Sequence, residues 1–530
     1  MKSRVAITLS AFLVFAFAGT PFAATPDEAD WKQAMGTWAR LSGSKIAAER
    51  AQAVTAVGDA TYEKRDKTAF GLAFAMLRQE LARGKNGKKE EEVSGLVILA
   101  CVDAIKKVRN ESTVEKIVKS ATKGRDVRLR ANLIRALGGI PSDEAKKALR
   151  KLVDDRAPIV SIAAVDALRE QGDTADVDLF IRVSKDEKKT WEARLGALQA
   201  IGLIGDDQVC DSLVEILAAL KEDEGRLRDE VLALLKKFLE VEIETDDPNA
   251  WKTAVAAKKR GEKPAEGGTK TAPTEFFGLK TKSTRIVFVL DRTGSMAAEM
   301  ETDDLSTPTE EPPLESGKKM SPQEKSANAQ ARVLRKKYER LPVKTRLDAL
   351  KKEFINTIYF LNSKVLFTVI WYEANQQPWK DQLVPATWKN KLDIIKETDK
   401  LQASGGTNVW GGLEYAFKLV SNPRRPDVVK IDKKGNYATQ VNGADTIFLM
   451  TDGSHNSGKF VKSNTTGNES PTDREGIMAE IQKINRGRKV IINTVCLGSK
   501  RHADYGKPDD KLMEMIADAS GGKFSHIRDK

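Results

Sequence analysis

Between residues 100 and 240 one pattern returns at a nearly constant interval. Ala104-Ile105, Ala136-Leu137, Ala167-Leu168, Ala200-Ile201 and Ala233-Leu234 hold equivalent places in five similar segments, spaced 32, 31, 33 and 33 residues apart. A unit of about 30 residues is long enough for a pair of helices but too short for a core of its own, so such units must stack to bury their apolar stripes. RLRANLIRALGGI, SIAAVDALREQGD and ARLGALQAIGLIGD read as the second helix of each pair, with small residues where neighbouring helices approach closely. AERAQAVTAVGD near residue 50 is an earlier, degenerate unit. The expectation is an α-solenoid over residues 25–250: either a curved surface that grips another protein or a spacer that positions the C-terminal domain.

This period and helix pattern resemble HEAT-like repeats. Beyond them, residues 251–283 change character. AAKKRGEKPAEGGTKTAPTE offers almost nothing to bury and predicts a flexible linker, with FFGLKTKST leading into a strand. From Thr284 to the end at 530, buried strands alternate with amphipathic helices. RIVFVLD, KVLFTVIWYE, ADTIFLMTD and KVIINTVCLG are the strands. Helices are predicted at RLDALKKEFINTIYFL, about 388–400, 409–420 and 472–486, and at KLMEMIADAS, which Gly521-Gly522 stops. That alternation implies a parallel, doubly wound (Rossmann-like) α/β sheet whose functional loops lie at the carboxyl ends of the strands.

Three of those ends carry oxygen donors. RIVFVLD ends at Asp291, and DRTGSM places Thr293 and Ser295 just beyond it. Gly405 and Gly406 precede Thr407, and ADTIFLMTD ends at Asp452, followed by Gly453. Two carboxylates and three hydroxyls suit a hard cation, Mg²⁺, or Mn²⁺ or Ca²⁺ at higher availability. On these five positions, residues 284–530 resemble a von Willebrand factor A domain and its metal-ion-dependent adhesion site. The resemblance implies that Thr293 and Ser295 coordinate directly, Thr407 directly or through water, and Asp291 and Asp452 mostly through water. It also implies that the ion's remaining position takes an Asp or Glu of a partner protein. Thr293 stands where the family usually has Ser, which keeps the oxygen and adds a methyl.

In such domains the next helix usually starts within a few residues of the D-x-[ST]-x-S array. Here an insertion spans 297–344. Its first part carries Glu299, Glu301, Asp303, Asp304, Glu310, Glu311 and Glu315 with no base, and Pro308, Pro312 and Pro313 oppose regular structure. Its second part, PQEKSANAQARVLRKKYER, reads as a helix. The insertion is either a cover for the metal site, with one of its acids as internal ligand, or a plain surface excursion. Trp371, Tyr372 and Trp410 belong to the same edge, as an aromatic rim for a ligand or as packing beneath the site, and Glu373 is expected to be solvated.

The first 24 residues read as an export signal: Lys2 and Arg4, then a 14-residue largely apolar run from Val5 to Ala18, then Ala23 and Ala24 as plausible cleavage points. That run is short for a membrane span, no later one is evident, and an exported chain would reach the periplasm, cell surface or medium. Removing the signal lowers the formal charge from +12 to +10, with the basic residues scattered among acids, which gives no sign of nucleic-acid binding. Cys101, Cys210 and Cys496 lie far apart in apolar stretches and read as buried thiols. No HExxH, CxxC pair, Walker loop, dinucleotide fingerprint or G-x-S-x-G elbow is present, and His455 is the best-placed candidate base. The expectation is a non-enzymatic, exported scaffold or adaptor whose metal site captures an acidic group, with a second protein on the helical repeats. The alternatives are an assembly factor for a metal- or nucleotide-dependent complex, and a metal-dependent hydrolase.

Overall fold

A computed structural model describes residues 27–528 apart from 63, 84–92, 222–223, 263–273, 303–304, 306–319, 420–442, 454, 462–472 and 499–508. The predicted export signal lies outside the described residues. No described helix is long and apolar enough to cross a membrane.

The N-terminal half is a run of helices: α1 (Glu28–Leu41), α2 (Ala47–Asp59), α3 (Asp66–Arg83), α4 (Gly95–Lys106), α5 (Glu111–Lys123), α6 (Val127–Gly138), α7 (Asp143–Leu152), α8 (Pro158–Gln171), α9 (Val177–Lys185), α10 (Trp191–Ile204), α11 (Cys210–Ala219), α12 (Gly225–Leu239) and α13 (Pro248–Lys259). Their starts are set locally. Asn110, Asp126, Ser142 and Thr190 accept first-turn N–H groups, and Pro158 opens α8. The recurring Ala-Ile/Leu pairs fall in α4, α6, α8, α10 and α12, which with α2 form one row of neighbouring helices. Small residues let that row close. A Cβ at Gly58 would lie 2.8 Å from the Ala104 Cβ, and one at Gly138 would lie 2.9 Å from the Ala167 Cα. Ala104, Ala136, Ala167 and Ala200 are buried in these crossings, whereas Ala233 is exposed at the end of the row. All three cysteines are buried free thiols, as expected.

The C-terminal half adds a hairpin, β1 (Thr274–Phe276) and β2 (Leu279–Thr281), then β3 (Arg285–Asp291), α14 (Pro322–Arg340), α15 (Arg346–Phe360), β4 (Leu366–Tyr372), β5 (Gln376–Pro378), β6 (Val384–Pro385), α16 (Trp388–Asp399), α17 (Val409–Lys418), β7 (Thr446–Thr451), α18 (Arg474–Arg488), β8 (Ile491–Leu497), α19 (Asp510–Ser520) and β9 (Phe524–Ile527). The main sheet runs β5-β4-β3-β7-β8-β9, with β6 on β4. β4, β3, β7, β8 and β9 pair in parallel, and β5 and β6 are antiparallel edge pieces. All seven β3 residues are buried, since both faces are covered. Ile286, Phe288 and Leu290 face a core shared with α15 and α16, and Val287 and Val289 face one shared with α17, α18 and α19. The chain order reverses between β3 and β7, the switch point where open α/β sheets bind ligands.

Two expectations are corrected. First, much of the predicted linker, 251–283, is folded. α13 buries Trp251, whose Nε1–H donates to the Thr245 carbonyl at 2.8 Å. The hairpin turns at Phe277 (φ 47) and Gly278 (φ 77). Its two phenylalanines are fully enclosed, and the Phe277 N–H donates to Glu353 Oε1 at 2.7 Å. The stretch in between, 263–273, is outside the described residues. Second, the two halves are docked, not loosely tethered. The Gly95 N–H at the start of α4 donates to Glu480 Oε1 of α18 at 2.7 Å, and a Cβ there would lie 2.5 Å from the Ala479 carbonyl oxygen. Lys483 Nζ donates to the Val93 carbonyl at 2.8 Å, and Lys489 Nζ to Asp166 Oδ1 at 2.6 Å. The Arg285 guanidinium lies 5.0 Å from the Trp191 ring centre. Arg285 opens β3 and Lys489 precedes β8, so the helical array grips the amino ends of the strands.

Asp229 lies near this seam. Burial, with Asp445 nearby, pushes its carboxyl up to about 6 against the pull of Arg226 and Lys282. The folded chain holds this proton more tightly than the unfolded one. The stability it contributes is therefore full below about pH 4 and is lost as pH rises through about 6. Asp229→Asn should raise stability by about 1 kcal/mol near neutral pH and flatten the slope of Tm against pH across that window. An unchanged slope would place the carboxyl in solvent.

Candidate metal-binding site

β3 delivers Asp291 to the switch point, and both of its carboxylate oxygens are used there. The Thr293 N–H donates to Oδ1 at 2.8 Å and the Thr451 hydroxyl to Oδ2 at 2.8 Å, with the Tyr372 hydroxyl 3.3 Å from Oδ2. β7 delivers Asp452 next to it. Ser295 donates to Asp452 Oδ1 at 2.7 Å, and the Thr293 and Ser295 hydroxyls are 2.9 Å apart. Both aspartates are fully buried. Burial raises the Asp291 carboxyl, and Asp452 beside it raises it further. Burial raises Asp452 as well, partly offset by Ser295 and Arg346.

The third loop is tied to the first by the Gly294 N–H on the Gly405 carbonyl at 3.0 Å and the Ser404 N–H on the Arg292 carbonyl at 2.8 Å. Gly405 has φ +76, and a Cβ on it would lie 2.6 Å from Glu373 Oε2, so the turn demands glycine. Beyond it the Thr407 N–H donates to Asn456 Oδ1 at 2.7 Å, and the Asn456 N–H returns to the Thr407 carbonyl at 2.9 Å. The Thr407 hydroxyl then looks across Gly453 at Ser295. A Cβ at Gly453 would stand 3.4 Å from Thr407 Oγ1 and 3.7 Å from Ser295 Oγ. All five oxygen-bearing residues read from the sequence are thus brought to one place. The described residues hold no cluster of three or more His, Cys, Asp or Glu, so any ion here would depend on hydroxyl and carboxylate oxygens together.

Residues 114–190 match the family model for HEAT repeats. Solved structures similar to this chain include a von Willebrand factor type A protein from Catenulispora acidiphila, 18% identical over 47% of this chain and 40% of that one, TM-score 0.25. They also include a conserved hypothetical protein, BatB, from Bacteroides thetaiotaomicron, 10% identical over 47% of this chain and 92% of that one, TM-score 0.24. A third is proximal thread matrix protein 1 from the mussel byssus, 13% identical over 46% of this chain and 42% of that one, TM-score 0.23. The match thus spans less than half the length of the first and third of these proteins. No curated protein matches the chain. The strand order and the three strand-end loops are those of a doubly wound α/β sheet, the fold class expected from the sequence.

Around the site, the aromatic residues take the second of their two expected roles, the expectation for Glu373 changes, and His455 belongs to its loop. Trp371, Tyr372 and Trp410 are buried and pack within the domain, so they form no aromatic rim. Glu373 is half-buried between Arg292 and the Ser404 hydroxyl, which donates to it at 2.7 Å. His455 is buried with Nε2 2.5 Å from the Lys459 carbonyl oxygen, which commits that nitrogen to its own loop and away from base catalysis.

The insertion is zipped at its root. Met300 N–H donates to the Lys344 carbonyl and Arg346 N–H to the Ala298 carbonyl, at 3.0 and 3.1 Å. Its second part is α14, which packs along α15 and α16 through Ala331, Arg335 and Tyr338, with the Tyr338 hydroxyl on Asp399 at 2.7 Å. Asp303, Asp304, Glu310, Glu311 and Glu315 lie outside the described residues.

One residue of the site was missed in the sequence. Arg346, which lies just past the insertion and opens α15, is 1% exposed and places Nη1 3.0 Å from Asp452 Oδ2. Its signal is a cation in the first turn of a helix, where the helix dipole disfavours positive charge.

Proposed function

We propose that this chain is an exported adaptor that captures an acidic group of a partner protein through a hard divalent cation, Mg²⁺ foremost, held by Asp291, Thr293, Ser295, Thr407 and Asp452. The observation that carries the reading is the convergence of these oxygens at the switch point between β3 and β7, where Gly453 leaves room between two hydroxyls. The donor set fits a hard ion: two carboxylates, both raised by burial and Asp291 further by Asp452, and three hydroxyls, with no sulfur or imidazole among them. When bound, the ion supplies a positive charge that a partner's carboxylate can complete. The chain's own residues orient the donors. Thr451 and the Thr293 N–H hold Asp291, Ser295 holds Asp452, and Asn456 fixes Thr407. Export is supported by Lys2, Arg4 and the Val5–Ala18 run.

Capture of partners from envelope or culture fractions by the mature chain tests this directly. Partners retained with Mg²⁺ should be released by chelator and should not bind Asp291→Ala. Gly453→Ala, which adds a methyl between the Thr407 and Ser295 oxygens, should weaken Mg²⁺ binding about tenfold, about 1.4 kcal/mol, with little change in Tm. Partners that persist in chelator and with Asp291→Ala would move recognition to the HEAT repeats and end the metal reading.

A further inference from the structure

Arg346 has no role in holding a cation; it is itself one. Its guanidinium lies against the carboxylate that would face the ion, with Nη1 3.0 Å from Asp452 Oδ2 and 3.3 Å from the Asp452 carbonyl oxygen. It is locked in place. A Cβ on Gly498 (φ +117) would stand 2.8 Å from Arg346 Cζ, Nε and Nη2, so only a glycine backbone can cover the guanidinium. The remaining hydrogen bonds close the site on itself: Ser295 donates to Asp452 Oδ1 and Thr451 to Asp291 Oδ2. Two buried carboxylates next to each other would ordinarily repel and oppose folding. Here one is matched by a buried cation, and the other is met by hydroxyl and N–H donors.

We infer that Arg346 is a resident cation that keeps the metal-free site folded and, by repelling a second positive charge, keeps the site's affinity for free divalent ion low. Ion and acidic partner then bind together, because the partner's carboxylate supplies the negative charge that Arg346 has cancelled. Arg346 is a positioning residue: it engages Oδ2 and leaves Oδ1 toward Thr293 and Ser295. This rests on the metal reading above.

The test uses the full mature chain, with Mg²⁺ or Mn²⁺ alone as the probe, followed by calorimetry and by thermal unfolding. Arg346→Gln should bind the ion at least ~10-fold more tightly than the unmodified chain, because a like charge close to the ion is removed. Its Tm in chelator should fall, and added Mg²⁺ should raise that Tm by more than in the unmodified chain. Arg346→Lys, which keeps the charge, should retain weak affinity. An Arg346→Gln chain that is unfolded in chelator and folds on adding Mg²⁺ supports the inference equally. Affinity that is unchanged or weaker in Arg346→Gln, or a chain that stays unfolded with Mg²⁺ present, overturns it. If neither the unmodified chain nor the variant binds either ion at millimolar concentration, the metal reading itself falls, and this inference with it.

Discussion

Asp166→Asn is expected to cost the folded chain about 3–5 kcal/mol, the scale for removing one partner of a buried ion pair. Asp166 sits on α8 under the end of α18, with Lys489 Nζ at 2.6 Å and Arg169 Nη2 at 3.7 Å. Burial alone would raise its carboxyl; Lys489, Arg169 and Arg135 around it more than offset this and hold it below the usual range. Asparagine keeps the shape but leaves Lys489, whose side chain is only 9% exposed, without its counter-charge. Denaturant unfolding followed by circular dichroism measures the loss. Asp154→Asn is the control. Asp154 pairs with Arg182 at 2.9 Å, but each side chain is 49% exposed, and the loss there should stay within about 1 kcal/mol. Equal, small losses at both positions would mean that the helical array and the α/β domain do not hold each other.

Phe276→Ala carries the other large effect, about 3–5 kcal/mol, the usual cost of truncating an enclosed phenylalanine to alanine. Its ring lies 4.7 Å from Phe277, 5.5 Å from Phe288, 5.6 Å from Phe448 and 6.3 Å from Phe354, mostly edge to face. Two of those partners are on the central strands β3 and β7, so the hairpin is part of the sheet's core despite its place beside a polar stretch. A drop in Tm with loss of near-ultraviolet signal is the expected readout. A change under about 1 kcal/mol would return the segment to the linker that its surroundings suggest.

The four long strands and the helices of the α/β domain were legible because each is buried on both faces or on one clear stripe. RIVFVLD and ADTIFLMTD have no other way to hide so many apolar residues. The five oxygen donors were legible for the same reason, since each ends or follows such an element. Strand order was not, because nothing in RIVFVLD says that it will sit between β4 and β7. The hairpin was missed because Phe276 and Phe277 follow a stretch of Lys, Glu, Gly and Pro that cannot form a core. The short edge strands at 376–378 and 384–385 contain proline and carry almost no apolar signal. The docking of the two halves was missed because Lys483, Arg486, Arg488 and Lys489 look like ordinary cations at a helix C-terminus, where the dipole favours them. Only the fold brings Asp103, Asp166, Glu170 and Glu192 of successive repeats against them. Arg346 escaped because its partner Asp452 is 106 residues away.

The grip of the HEAT repeats on the amino ends of the strands has a mechanical meaning. β3 begins at Arg285, stacked on Trp191, and ends at Asp291 in the strand-end loops, seven residues or about 20 Å away. A pull on anything held at that edge, resisted by the helical array, runs along β3 and its neighbour β7. It meets their ladder bonds sideways and together, as a shear, instead of peeling them one by one.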